Sequence, residues 1–163
     1  GDAYHITAPS MDGDGAFRAM SAAIKRAGIS SADIDYINAH GTSTPANDAS
    51  ETAAIKGLFG ERAYQIPISS TKSMIGHPQG ACGAAGVAAA ILCARRGWIH
   101  PTINLDVPDP QCDLDCIPLV GRRLRFDNAM KLSVAFGGHL VAMTLRRWND
   151  SATGFAYPTL AAA

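Results

Sequence analysis

Apolar residues recur at helical spacing across GDGAFRAMSAAIKRA (13–27), and Gly28 supplies a stop. The period then changes. DYINA (35–39) and QIPISS (65–70) are short apolar runs that predict strands. Between them, DASETAAIKGLFG (48–60) predicts a second helix, with Asp48 as N-cap and Glu51 three residues on, as in a capping box. Residues 78–97 predict a third helix, with Pro78 at its first position and Gly97 past its end. Its first half is Gly and Ala on nearly every side, which predicts burial between two layers. A loop region punctuated by Pro and Asp follows. KLSVAF (131–136) and LVAMTLRRW (140–148) then read as two strands joined through GGH. Helix and strand alternate, so the expected class is α/β. Residues 149–163 lack periodicity and are expected to form a tail, either disordered or docking. No internal repeat is visible.

Composition narrows the function classes. The chain has 163 residues, enough for one domain with a real core. Lys plus Arg (14) balances Asp plus Glu (14), which gives no support for a nucleic-acid or anionic-membrane surface. No apolar run approaches the roughly 18 residues of a membrane span. The N-terminus, GDAYHITAPS, lacks a methionine and the pattern of a signal peptide, so the chain is expected to begin inside a larger protein. Cys82, Cys93, Cys112 and Cys116 form no zinc pattern, and no metal site is expected. Cys93 reads as a small core residue. A reduced, cytoplasmic setting is the expectation.

Candidate chemistry sits where apolar runs end. In YINAHGTSTPAND (36–48), His40 follows a predicted strand and is surrounded by hydroxyls. In SSTKSMIGHPQGACGAAG (69–86), His77 follows another strand, after a loop carrying Lys72, and precedes the Gly/Ala helix. There the helix dipole and desolvation would both disfavour an imidazolium. A neutral ring can donate one hydrogen bond to a developing oxyanion. A lone histidine is more often a structural ring, whereas two in related settings point to a built site. The paired glycines of VAFGGHL (134–140) allow a tight turn.

NAHGTSTPANDASE, SSTKSMIGHPQGACGAAG, PTINLD, CDLDCIP and AFGG occur in an order that resembles the C-terminal half of β-ketoacyl-acyl carrier protein synthases. The resemblance is to the condensing enzyme II type of fatty-acid synthesis and its polyketide relatives. The resemblance runs from Gly1 to Trp148 and makes 1–148 the ketosynthase domain. It implies a thiolase-like fold layered α-β-α-β-α, of which this chain is the second half, with a mixed sheet and the Gly/Ala helix in the buried middle layer. It implies a decarboxylative Claisen condensation of an acyl thioester with malonyl-carrier protein. By motif position, His40 and His77 would be the catalytic histidines and Lys72 the lysine of that site. Glu51 would be its buried acidic partner. Thr42 and Thr44 would bind the phosphopantetheine arm. Phe136 would be the aromatic gate, its N–H helping to form the oxyanion hole.

No cofactor of the protein's own is implied, because substrates ride on the phosphopantetheine of the acyl carrier protein. The implied partners are that carrier protein, the N-terminal half, and a second copy in a homodimer. The nucleophilic cysteine belongs to the N-terminal half, so this chain alone is expected to be inactive. Cys82, at the front of the Gly/Ala helix, is too poorly exposed to replace it. Near the gate, Ala135, His139 and Leu140 stand where the family typically has Gly, Thr and Asn. Ala135 is expected to restrict the loop, and Leu140 cannot hydrogen-bond as Asn does. These departures leave a second reading, a non-catalytic partner subunit of the chain-length-factor type. DGDG (12–15) lacks the later chelating positions of a calcium loop, and GACGAAG lacks the dinucleotide-binding spacing.

Overall fold

The computed structural model describes residues 1–148, so the tail expected at 149–163 lies outside them. The first helix, α1 (Asp14–Ala27), buries Ala16, Met20 and Ile24, and the Gly28 N–H closes it on the carbonyls of Ile24 and Lys25. Four strands form a mixed sheet: β1 (Tyr36–Asn38), β2 (Ile68–Ser69), β5 (Asn128–Ala135) and β6 (His139–Arg146). Their order is β2-β1-β5-β6. β1 runs parallel to β2 and β5, and β6 returns antiparallel to β5.

Strand alternation divides the core. Ile37, Ala39, Met130 and Leu132 pack with Met20 of α1 and Ile55 of α2 (Pro45–Phe59). Tyr36 and Ala129 pack on the opposite face with Ala90 and Cys93 of α4 (Cys82–Arg96). Cys93 is thus the core residue the sequence predicts. Helices cover both faces of the sheet, and none is long and apolar enough to cross a membrane among the described residues.

Several expectations are corrected. The second helix begins at Pro45 with Thr44 at the N-cap position, so Asp48 lies inside it and does not cap it. Pro45 is pre-shaped for a first helical residue, and this moves the start ahead of the apolar pattern. The third predicted helix is divided into a 3-10 turn, Gln79–Ala81, and α4 proper, leaving Pro78 outside. The left-handed backbone of Gln79 (φ 50) prevents a continuous helix from Pro78. Lys72 belongs to a single helical turn, α3 (Lys72–Ile75), where a loop was expected. Among the described residues α4 buries one face, through Cys82, Gly86, Ala90 and Cys93, while Ile91 and Leu92 are exposed. Sequence periodicity missed β3 (Trp98–Ile99) and β4 (Arg122–Arg123), two-residue strands too short to display a period.

The turn joining β5 to β6 is Phe136–Gly138, with φ of 79° at Gly137 and 74° at Gly138. Ala135 has no positive φ, so it carries no backbone strain where a glycine was expected. The N-terminal segment is bonded to this turn: Asp2 N–H donates to the Gly138 carbonyl (2.7 Å), and Gly137 N–H donates to the Ile6 carbonyl (2.6 Å).

Candidate active site

Because β1, β2 and β5 are parallel, the residues following them gather at one edge of the sheet. That carboxyl edge is where α/β sheets commonly bind ligands. His40 follows β1, Lys72 and His77 follow β2, and Phe136 follows β5.

His40 is 4% exposed. Its N–H donates to Glu51 Oε1 (2.7 Å), and the Gly41 N–H donates to Glu51 Oε2 (2.9 Å). Glu51 therefore reaches across to the histidine loop and does not reach back to cap its own helix. Burial raises the Glu51 pKa, while the two amide hydrogen bonds and the Lys131 charge oppose that rise. Gly41 has to be glycine: its φ is 45°, and a Cβ there would lie 2.6 Å from Ser70 Cβ. Lys72 Nζ lies 3.2 Å from His40 Nδ1 and 2.5 Å from the His40 carbonyl oxygen.

The His77 ring stands edge-on to that of His40, at a centroid distance of 5.7 Å and an interplanar angle of 86°. The Gln79 N–H donates to His77 Nδ1 at 3.0 Å, and Cys82 Sγ lies 3.4 Å from the same nitrogen. On both rings Nδ1 is occupied as an acceptor, which assigns the proton to Nε2. Burial, followed by the charges of Lys72, Lys131 and His77, pushes the His40 pKa down to about 3. The ring is therefore neutral at physiological pH. His77 is exposed in this chain, contrary to the desolvation expected from its sequence position. Cys82 is buried, as expected.

Thr42 and Thr44 share a hydrogen bond (2.8 Å), and the Thr44 side chain makes no capping bond to α2. Both line a cavity of about 740 Å³, together with Lys72, Ser70 and residues of the 102–118 loop. Phe136 shares the sheet edge but is 75% exposed, and among the described residues no aromatic contact joins it to either histidine. Two left-handed non-glycine residues, Ser43 (φ 60) and Gln79 (φ 50), flank the site. Such backbone is costly and tends to persist at functional positions.

Sequence reasoning missed Lys131, 3% exposed, whose Nζ donates to the Ala39 carbonyl (2.9 Å). A lysine at the head of the apolar run KLSVAF was the available signal. It also missed His100, whose Nε2 lies within 3.4 Å of Tyr36, Asn38, Ser69 and Thr71 side chains in a buried polar cluster.

Residues 1–106 match the family described as Beta-ketoacyl synthase, C-terminal domain. A 3-oxoacyl-[acyl-carrier-protein] synthase 2 of Synechocystis is 50% identical over 147 residues, covering 90% of this chain and 35% of that protein. The protein of the same name in Staphylococcus aureus is 47% identical over 148 residues, covering 91% and 36%. Among solved structures, a ketosynthase in complex with its type II polyketide acyl-carrier protein, bound to a hexaketide, superposes with a TM-score of 0.87 at 44% identity. That match covers 88% of this chain and 35% of the other. A β-ketoacyl synthase from Burkholderia phymatum gives a TM-score of 0.85 at 40% identity, covering 91% and 35%. The chain thus spans about a third of the length of the relatives it matches. Its α/β fold is that of the thiolase-like ketosynthases. From the motifs, the fold and these relatives together, the chain belongs to the β-ketoacyl synthase family, of which it carries the C-terminal domain.

Proposed function

We propose that this chain supplies the decarboxylation half of a 3-oxoacyl-carrier protein synthase. The observation that carries the reading is the perpendicular His40–His77 pair, each ring with Nδ1 occupied as an acceptor and its proton left on Nε2. A malonyl thioester whose carbonyl oxygen accepts from both rings would lose carbon dioxide. The electron pair of the broken C–C bond would move into an enolate whose negative charge is held by the two N–H groups. A neutral, preorganised donor aimed at an oxyanion is worth about 2.7–4 kcal/mol, or 10²–10³ in rate. The enolate carbon then attacks an acyl thioester on a cysteine supplied from outside this chain, forming the new C–C bond and releasing the thiolate.

Thr42 and Thr44 would hold the amide-bearing phosphopantetheine arm in the cavity they line. Lys72 would keep His40 Nδ1 engaged as an acceptor. No resident cofactor enters this scheme. The partners would be an acyl carrier protein, the half bearing the nucleophile and a second copy in a dimer, and the setting would be cytoplasmic.

The test is carbon dioxide release from malonyl-carrier protein by the whole protein, with His40→Ala and His77→Ala alongside. A loss of 10²-fold or more in each variant is the expected outcome. The exposed position of Phe136, away from the histidine contacts, favours a second reading, a non-catalytic partner subunit. Absence of decarboxylation by the intact wild type, on substrate of verified integrity, would select that reading.

A further inference from the structure

Two consecutive peptide groups meet at His40. In the first, the Ala39 carbonyl accepts from Lys131 Nζ (2.9 Å) while the His40 N–H donates to Glu51 Oε1 (2.7 Å). In the second, the His40 carbonyl accepts from Lys72 Nζ (2.5 Å) while the Gly41 N–H donates to Glu51 Oε2 (2.9 Å). Each peptide is held at its oxygen by an amine and at its nitrogen by one oxygen of a single buried carboxylate. We propose that Lys131 is a positioning residue which, with Glu51 and Lys72, clamps the two peptides on either side of His40 and so fixes its ring.

Three further observations support this. Lys131 is 3% exposed and among the described residues pairs with no carboxylate, so its burial is compensated through backbone carbonyls, Ala39 and also Leu132 (2.6 Å). Space for it is cut into the neighbouring helix: a Cβ at Gly86 of α4 would lie 2.3 Å from Lys131 Cε. The charge also acts on the ring, since Lys131 and Lys72 both disfavour protonation of His40. The groups facing His40 are Lys72, Lys131, His77 and Glu51, and those facing Lys131 are Lys72, Glu51 and Cys82.

The inference rests on the proposed role of His40, and the experiment separates the two. Lys131→Met keeps an unbranched side chain one atom shorter and removes its charge and donors. In the whole protein, kcat for malonyl-carrier protein decarboxylation is expected to fall about tenfold or more with KM within about twofold, as for a misplaced catalytic group. The acid limb of the pH profile is expected to move to higher pH. Proton NMR of the His40 ring, assigned by its absence in His40→Ala, should show the same upward shift in titration. Wild-type kcat and an unmoved ring titration in Lys131→Met would overturn the proposal. If His40→Ala keeps full activity, the catalytic reading fails, and the ring titration alone decides whether the clamp stands. Where Lys131→Met does not fold, Gly86→Ala displaces the lysine while keeping its charge. Unchanged kcat and an unchanged ring signal in that variant would overturn the proposal equally.

Discussion

At the scale of single residues, buried charge leaves a pH signature. Burial, with the Lys72 charge beside it, lowers the Lys131 pKa to about 8, against an ordinary value near 10.5. Between those values the unfolded chain binds more protons than the folded one, so stability rises with pH across the window. The slope contributed by this group is at most about 1.4 kcal/mol per pH unit. Urea unfolding of the whole protein at pH 8, 9 and 10 should show the wild type gaining stability relative to Lys131→Met. A constant difference would mean that the amine is not desolvated. His40, His77 and Lys72 were legible because each lies within a contiguous stretch of motif. Glu51 was legible as a residue, but not for the contact it makes, since a capping box and a reach across to the next loop need the same spacing. Lys131 stood out only as a lysine at the head of the apolar run KLSVAF, and its contacts were illegible. Strand alternation assigns it a face, but says nothing of the gap at Gly86 that admits its side chain.

At the scale of elements, the four strands of the mixed sheet, α1 and the Gly97 stop of α4 fall where the apolar pattern puts them, and the differences at the helix starts arise from backbone chemistry. Pro45 and Gln79 each move a helix start because of the φ they adopt, which hydrophobic periodicity does not encode. β6 explains one of the departures near the gate. Leu140 packs against the core cluster beneath α1, close enough that a Cβ on Gly15 would lie 2.8 Å from its Cδ1. It is a packing residue. Leu140→Asn, which installs the side chain typical of the family, should therefore destabilise the protein by about 1–3 kcal/mol by placing an amide in an apolar contact. Chemical denaturation checks this, and an unchanged midpoint would reject the packing role.

At the scale of the molecule, α4 covers one face of the sheet with a single side of its own. Ile91 (46% exposed) and Leu92 (48%) leave its outer face without a cover among the described residues. Fully burying such a side chain is worth about 1.5–3 kcal/mol, so the pair alone favours association. Light scattering of the isolated chain should show self-association with strong dye binding. The double variant Ile91→Glu, Leu92→Glu should reduce both. A monomer that binds no dye would contradict this. The all-round apolar character of the helix was plain in the sequence. What meets its second face was not, because a periodicity records how much surface is hidden and not what hides it.

The bonds from Asp2 and Ile6 to the Gly137–Gly138 turn have a dynamic consequence. A hairpin tip held by its own two strands could swing freely, whereas this one is latched by a segment far away along the chain. The latch is sterically close: a Cβ at Gly138 would lie 1.6 Å from the Asp2 carbonyl oxygen, so only glycine admits it. At about 0.5–1.5 kcal/mol per hydrogen bond, releasing both costs about 1–3 kcal/mol. That energy sets a population ratio of roughly 5 to 150 in favour of the latched hairpin. Displacement of Phe136 is then an infrequent excursion, and its frequency is controlled from the first six residues of the chain.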